Sequence, residues 1–113
     1  MNTDLELLQA AAKAAGLNLN QWPGEDFWRA DHKALGEHWN PRWSPLESDG
    51  DAMRLAVDLQ MDMYVRAEWV EAVAPMGAPQ KVRYGLEGPR KAARLAITRA
   101  AAAMPARRVL GAA

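Results

Sequence analysis

His32 and His38 are the only histidines and the natural first candidates for metal chemistry. They stand six residues apart with Gly36 between them. That spacing matches neither an i, i+4 helical pair nor a ligand cluster, so no metal role is expected. The run Glu47-Ser48-Asp49-Gly50-Asp51 is rich in oxygen ligands, as a calcium loop is. It lacks the alternating spacing and the closing glutamate of such a loop, and helix capping accounts for its acids. Ser44 precedes a proline, Ser48 is better used as a cap, and no glycine-flanked nucleophile elbow is present. Gly85 and Gly88 alone do not make a phosphate cradle. With no cysteine, thiolate nucleophiles, thiolate zinc sites and disulfide frameworks are excluded. The expected carboxylate pairs lie on polar, solvated faces. The residues therefore point to no catalysis, no metal and no cofactor.

Binding chemistry is better represented. Arg90, Lys91, Arg94 and Arg99 fall on one helical stretch, and Arg107 and Arg108 follow it. Such a series could engage phosphates or an acidic partner. All 14 acidic residues lie at or before Glu87, against eight basic ones, so the chain up to there carries −6 and the remainder +6. A helix neutralised by packing on an acidic body would show the same layout. The chain as a whole is formally neutral, which argues against a nucleic-acid binder. Five tryptophans are more than a small core easily buries. Trp22, Trp28, Trp39 and Trp43 cluster in the first half, and two or three of the five are expected in the core. Trp39 and Trp43 beside Arg42 make the candidate protein-binding spot, because Trp and Arg dominate such sites.

These residues need a scaffold, and 113 residues provide one domain. At that length folding buries somewhat more than about 60% of the unfolded chain's surface, enough for a core without staples. Half the residues are hydrophobic and a quarter charged, the mixture of a soluble globular protein. No apolar run reaches the roughly 20 residues of a membrane span. Asp4 and Glu6 replace the basic leader of a signal peptide, so the cytoplasm is the expected location.

Thr3 and Glu6 form a capping box for a helix over 3–15, with Leu5, Leu8, Ala12 and Ala15 as its apolar stripe and Gly16 as its left-handed stop. Alternation predicts a short strand over 17–22, and a second from about Phe27 to His32 after the Pro23-Gly24 turn. Pro41 and Pro45, bracketed by aromatics, make a stiff loop. It feeds a helix capped by Ser48 or Asp49, with Ala52, Leu55, Ala56 and Leu59 facing the core. Met61, Met63, Val65, Ala67 and Trp69 alternate with polar residues and predict one half-buried strand, although Val65, Trp69, Ala72 and Val73 also fit a helix. After the Pro75–Pro79 connection, Val82, Tyr84 and Leu86 predict a returning strand and a hairpin with a wide loop. Gly88-Pro89 opens an alanine-rich helix to Ala103. Its buried stripe is Ala93, Ile97, Ala100 and Met104, while Arg90, Lys91, Arg94 and Thr98 lie toward another face. Pro105 stops it, and residues 106–113 form a mobile tail beyond a single domain over 1–105. The predicted class is α+β: a small single-domain layered sandwich, about three helices on a small, mainly antiparallel sheet.

Two segments carry a resemblance. The run from Trp43 to Val57 (Trp-Ser-Pro-Leu-Glu-Ser-Asp-Gly-Asp-Ala-Met-Arg-Leu-Ala-Val) resembles the central motif of the phage ABA sandwich domain, a family of small phage and prophage proteins. The run from Pro89 to Ala102 is similar to that family's C-terminal helix, whereas residues 24–40 depart most from the pattern. The resemblance implies a sheet between helical layers and a phage or prophage origin. It implies no activity, because the family has no assigned function. The expectation is a non-enzymatic accessory protein in the host cytoplasm that binds a host or phage protein, with counter-defence (anti-CRISPR-like inhibition) as the specific form. The alternative is a nucleic-acid-binding phage regulator that uses the basic helix. A homodimer stays open.

Overall fold

A computed structural model describes residues 4–16, 18–20, 29–31 and 43–104. Helix α1 spans Asp4–Ala15, and Gly16 at φ +78° ends it in the left-handed region, as its position predicts. Strands β1 (Asn18–Asn20) and β2 (Arg29–Asp31) pair antiparallel as a separate two-stranded sheet. The expected cap Thr3, the histidines, Trp22, Trp28, Trp39, Arg42 and the tail lie outside the described residues.

Helix α2 (Asp49–Asp58) begins where Ser48 predicts, its Oγ accepting the Asp51 backbone N–H at 3.1 Å. Asp51 is only 3% exposed. Its carboxylate accepts the Ser44 N–H at 2.9 Å and the Arg54 guanidinium at 2.6 Å. The acid-rich run is thus a helix start in which one carboxylate fastens the preceding loop. Ala52, Leu55, Ala56 and Leu59 are all buried, as their spacing predicts.

The stretch predicted as one strand over 61–69 is two. β3 (Asp62–Val65) turns through Ala67-Glu68 into β4 (Trp69–Val73), and β5 (Gln80–Arg83) returns beside β4. The sheet is an antiparallel meander in the order β3-β4-β5, and no helix forms over Val65–Val73. Neither Ala67 nor Glu68 takes a positive φ, so the turn uses no glycine or asparagine and leaves no mark in the sequence. The turn also sets the pleat. Val70, Ala72 and Ala74 face inward and are buried, whereas Trp69, expected in phase with Met63, is on the other face. Leu86, predicted to alternate inward, is fully exposed in the turn before the last helix.

Helix α3 (Pro89–Ala102) lies directly on β4 and β5, and both α1 and α2 pack against it. This makes a small α+β domain, three helices with a three-stranded antiparallel sheet. Among the described residues the helices occupy one face of that sheet rather than both. Because α3 is flanked on several sides, more of it is buried than one stripe: Ala92, Ala96, Ile97, Thr98, Ala100 and Ala101, with Ala93 and Met104 only partly covered. Thr98, expected away from the buried stripe, is fully buried, its hydroxyl donating to the Arg94 carbonyl at 2.7 Å. Alanines on α1 (Ala11, Ala12, Ala14) and α3 let the helices approach closely over the small side chains of β4. Among the described residues no helix is long and apolar enough to cross a membrane.

Candidate functional site

Trp43 does not form an exposed anchor. It is 4% exposed, joins the hydrophobic core, and leads into Pro45, which is also fully buried. The Trp43 ring is packed among core residues rather than presented to a partner. This corrects the expectation that Trp43 marks a docking spot; Trp39 and Arg42 lie outside the described residues.

The basic helix is largely committed within the fold. Arg94, 20% exposed, donates through Nε to the Leu46 carbonyl at 3.0 Å and through Nη1 to Asp49 Oδ1 at 2.6 Å. Arg90 approaches the other oxygen of Asp49 at 3.8 Å, and Lys91 Nζ lies 2.9 Å from Glu87. Arg99 is exposed and has no ion pair among the described residues. Three of the four cations therefore face carboxylates of the acidic body, the arrangement that the charge layout allowed as a neutralised helix.

The surface that gathers binding chemistry is the outer face of the meander. The register sets Trp69 opposite Arg83, and Glu71 between Tyr64 and Lys81. Lys81 Nζ lies 4.2 Å from the Trp69 ring centroid. The Arg66 guanidinium is 5.7 Å from the Tyr64 ring and 6.0 Å from that of Trp69. Such contacts hold an aromatic ring in place while leaving its edges available. Tyr64 is 42% exposed, Trp69 half-buried, and Arg83 pairs loosely with Glu68 at 3.8 Å. Among the described residues no helix covers this face.

The backing of the face is rigid. Tyr84 donates its hydroxyl to the Arg66 carbonyl at 2.7 Å and its N–H to the Glu68 carbonyl at 3.0 Å, pinning the β3–β4 turn to the end of β5. Sequence reasoning missed Trp69, Tyr64 and Arg66 as a group because it ran one strand through the turn. The usable signal was the pair Val70 and Ala72 alternating with Trp69, Glu71 and Val73 in a single five-residue strand. In the acid-rich run at the start of α2, Asp49 and Asp51 are turned to arginines, and no group of three or more metal-ligating side chains occurs among the described residues.

No protein-family profile, no curated protein and no solved structure matches this chain.

Proposed function

We propose that this chain is a non-enzymatic binding protein that docks on another protein through the outer face of β3–β5. The observation that carries the reading is Trp69, steadied by Lys81 and Arg66 on a sheet face that no described helix covers. Trp, Tyr and Arg are the residues that concentrate binding energy at protein interfaces, and here they share one rigid platform. The resemblance of residues 43–57 and 89–102 to a phage family supports a phage or prophage accessory role in the host cytoplasm, with counter-defence inhibition as its specific form.

The second reading, nucleic-acid binding along α3, draws less support, since Arg90, Lys91 and Arg94 already face acidic side chains. Affinity capture of the tagged protein from lysate of a bacterial host, with and without nuclease, separates the two. The expected result is one stoichiometric protein partner that survives nuclease and is lost with Trp69→Ala. Partners that disappear with nuclease, or that Trp69→Ala retains in full, overturn this reading.

A further inference from the structure

Strand β5 is an edge of the meander: it pairs with β4 and with no other described strand. Its free side has a defined polarity. The Tyr84 N–H donates to the Glu68 carbonyl, and in an antiparallel ladder such bonded pairs alternate with unbonded ones. The backbone groups of Val82 therefore point to β4, while the N–H and C=O of Lys81 and Arg83 point outward.

Beneath this edge lies a groove. A cleft of about 380 Å³ between β5 and the first half of α3 is walled by Val82, Leu86, Ala92 and Leu95, with Arg83 and Lys91 at its rim. A second cleft, of about 370 Å³, shares Leu95 and is lined by Gln80 of β5, Asp4 and Leu7 of α1, and Arg99 and Ala102 of α3. Gln80 and Val82 are the inward-facing residues of β5, and each cleft meets the strand at one of them. A four-residue strand is roughly 13 Å long, and the eight-residue step from Lys91 to Arg99 rises roughly 12 Å. The groove and the free edge thus match in length.

Charge decides the occupant. The outward-facing side chains of β5 are Lys81 and Arg83, both cationic and exposed. Two copies of β5 pairing over these residues would set lysine and arginine against lysine and arginine on one face, which is destabilising. Cationic edges guard against self-pairing in this way, but such a guard has no need of an apolar groove below it. A partner strand with acids opposite Lys81 and Arg83, and an apolar residue opposite Val82, would satisfy both layers at once.

We infer that the β5 edge takes an extended segment of a partner protein, added as a fourth strand, in which acidic and apolar residues alternate. Backbone bonds to Lys81 and Arg83 supply affinity, and the clefts on either side of Leu95 select the apolar side chains. The inference rests on the reading of this chain as a protein-binding module; its contacts are the β5 backbone and the clefts, and Lys81, which also lies over the Trp69 ring, is the residue the two surfaces share.

The test uses the full chain and a labelled peptide of sequence Gly-Glu-Val-Glu-Leu-Glu-Val-Glu-Gly, with a peptide in which lysine replaces each glutamate as its counterpart. Fluorescence anisotropy should show saturable binding of the acidic peptide only. On binding, the Lys81 and Arg83 amides should gain hydrogen-exchange protection, while those of Gln80 and Val82, already bonded to β4, should change little. Arg83→Pro deletes an outward N–H that β4 does not use and should weaken binding about fivefold beyond Arg83→Ala, the effect of one backbone hydrogen bond. The double variant Lys81→Glu/Arg83→Glu should lose the acidic peptide and bind the lysine one, a gain that misfolding cannot produce. Binding without protection at Lys81 and Arg83, or equal binding of both peptides to the wild type, overturns edge pairing. No peptide binding by a protein that still captures its Trp69-dependent partner overturns this inference alone. Peptide binding that Trp69→Ala leaves intact supports it independently of the sheet face.

Discussion

Arg94 and Asp49 lie 45 residues apart in the chain and meet at 2.6 Å, joining α3 to the first turn of α2. The same guanidinium holds the Leu46 carbonyl, so one side chain secures both the helix start and the loop that leads into it. Arg94→Ala should destabilise the fold by about 1–2 kcal/mol, a charge-assisted pair discounted for the half-exposed carboxylate. Arg94→Lys keeps the charge but not the two-point geometry and should recover less than half of that loss. A double-mutant cycle with Asp49→Ala, read by chemical denaturation, should return a coupling of about 1 kcal/mol. A coupling near zero would show that the contact is only a surface pair. Either way, loss of partner binding in an Arg94 variant has to be compared with its stability first.

The two described tryptophans should differ sharply in what they contribute to stability. Trp43→Ala empties a core position and should cost about 3–5 kcal/mol, a large share of a small domain's total stability. Trp69→Ala removes a ring from the open sheet face and should cost about 1 kcal/mol. Thermal unfolding of both variants checks this. Near-equal losses would mean that Trp69 is a structural residue and would weaken its assignment as a docking anchor.

Gly88 precedes α3 at φ +90° and ψ −175°, a region essentially reserved for glycine. Apart from the adjoining residues, no atom lies within 4 Å of where a Cβ would be, so a substitution there meets no steric neighbour elsewhere in the fold. The whole effect of Gly88→Ala is then backbone strain, and the expected loss is about 1–3 kcal/mol. Pro89, at the first helical position, makes the entry stiffer still. An unchanged denaturation midpoint would show that the turn relaxes into another conformation.

What was legible in the chain followed punctuation. Gly16 closes α1, Ser48 opens α2, and Gly88-Pro89 opens α3, each because a specific backbone group or angle admits few residue types. The meander was less legible, since its first turn uses Ala67 and Glu68, which any helix or strand also accepts. The inner face is equally quiet: Val70, Ala72 and Ala74 are no more apolar than Trp69 and Val73 on the other side. Hydrophobic alternation cannot choose a face when both carry apolar residues. The cations of α3 were visible as residue types, but their partner Asp49 becomes a neighbour only once α2 and α3 pack. The outer-face cluster is assembled from three strands, so its members share no local spacing.

Gln60 supplies the last prediction. Helix α2 ends with Met61 N–H on the Ala56 carbonyl at 2.9 Å and Gln60 N–H on the Val57 carbonyl at 3.1 Å, the paired bonds of a Schellman stop. That motif requires a left-handed residue after the cap, and here a glutamine adopts φ 56°. A side chain in that region costs about 1–2 kcal/mol, which glycine does not incur. Glycine gives back part of this through the greater freedom of the unfolded chain. Gln60→Gly should therefore stabilise the protein by about 0.5–1 kcal/mol, while Gln60→Ala, with its Cβ retained, should change little. In chemical denaturation the Gly variant should shift the midpoint upward at unchanged slope. If Gly and Ala prove equivalent, the left-handed angle is not what limits stability at this turn, and the stop is held by its two hydrogen bonds and the burial of Leu59 instead.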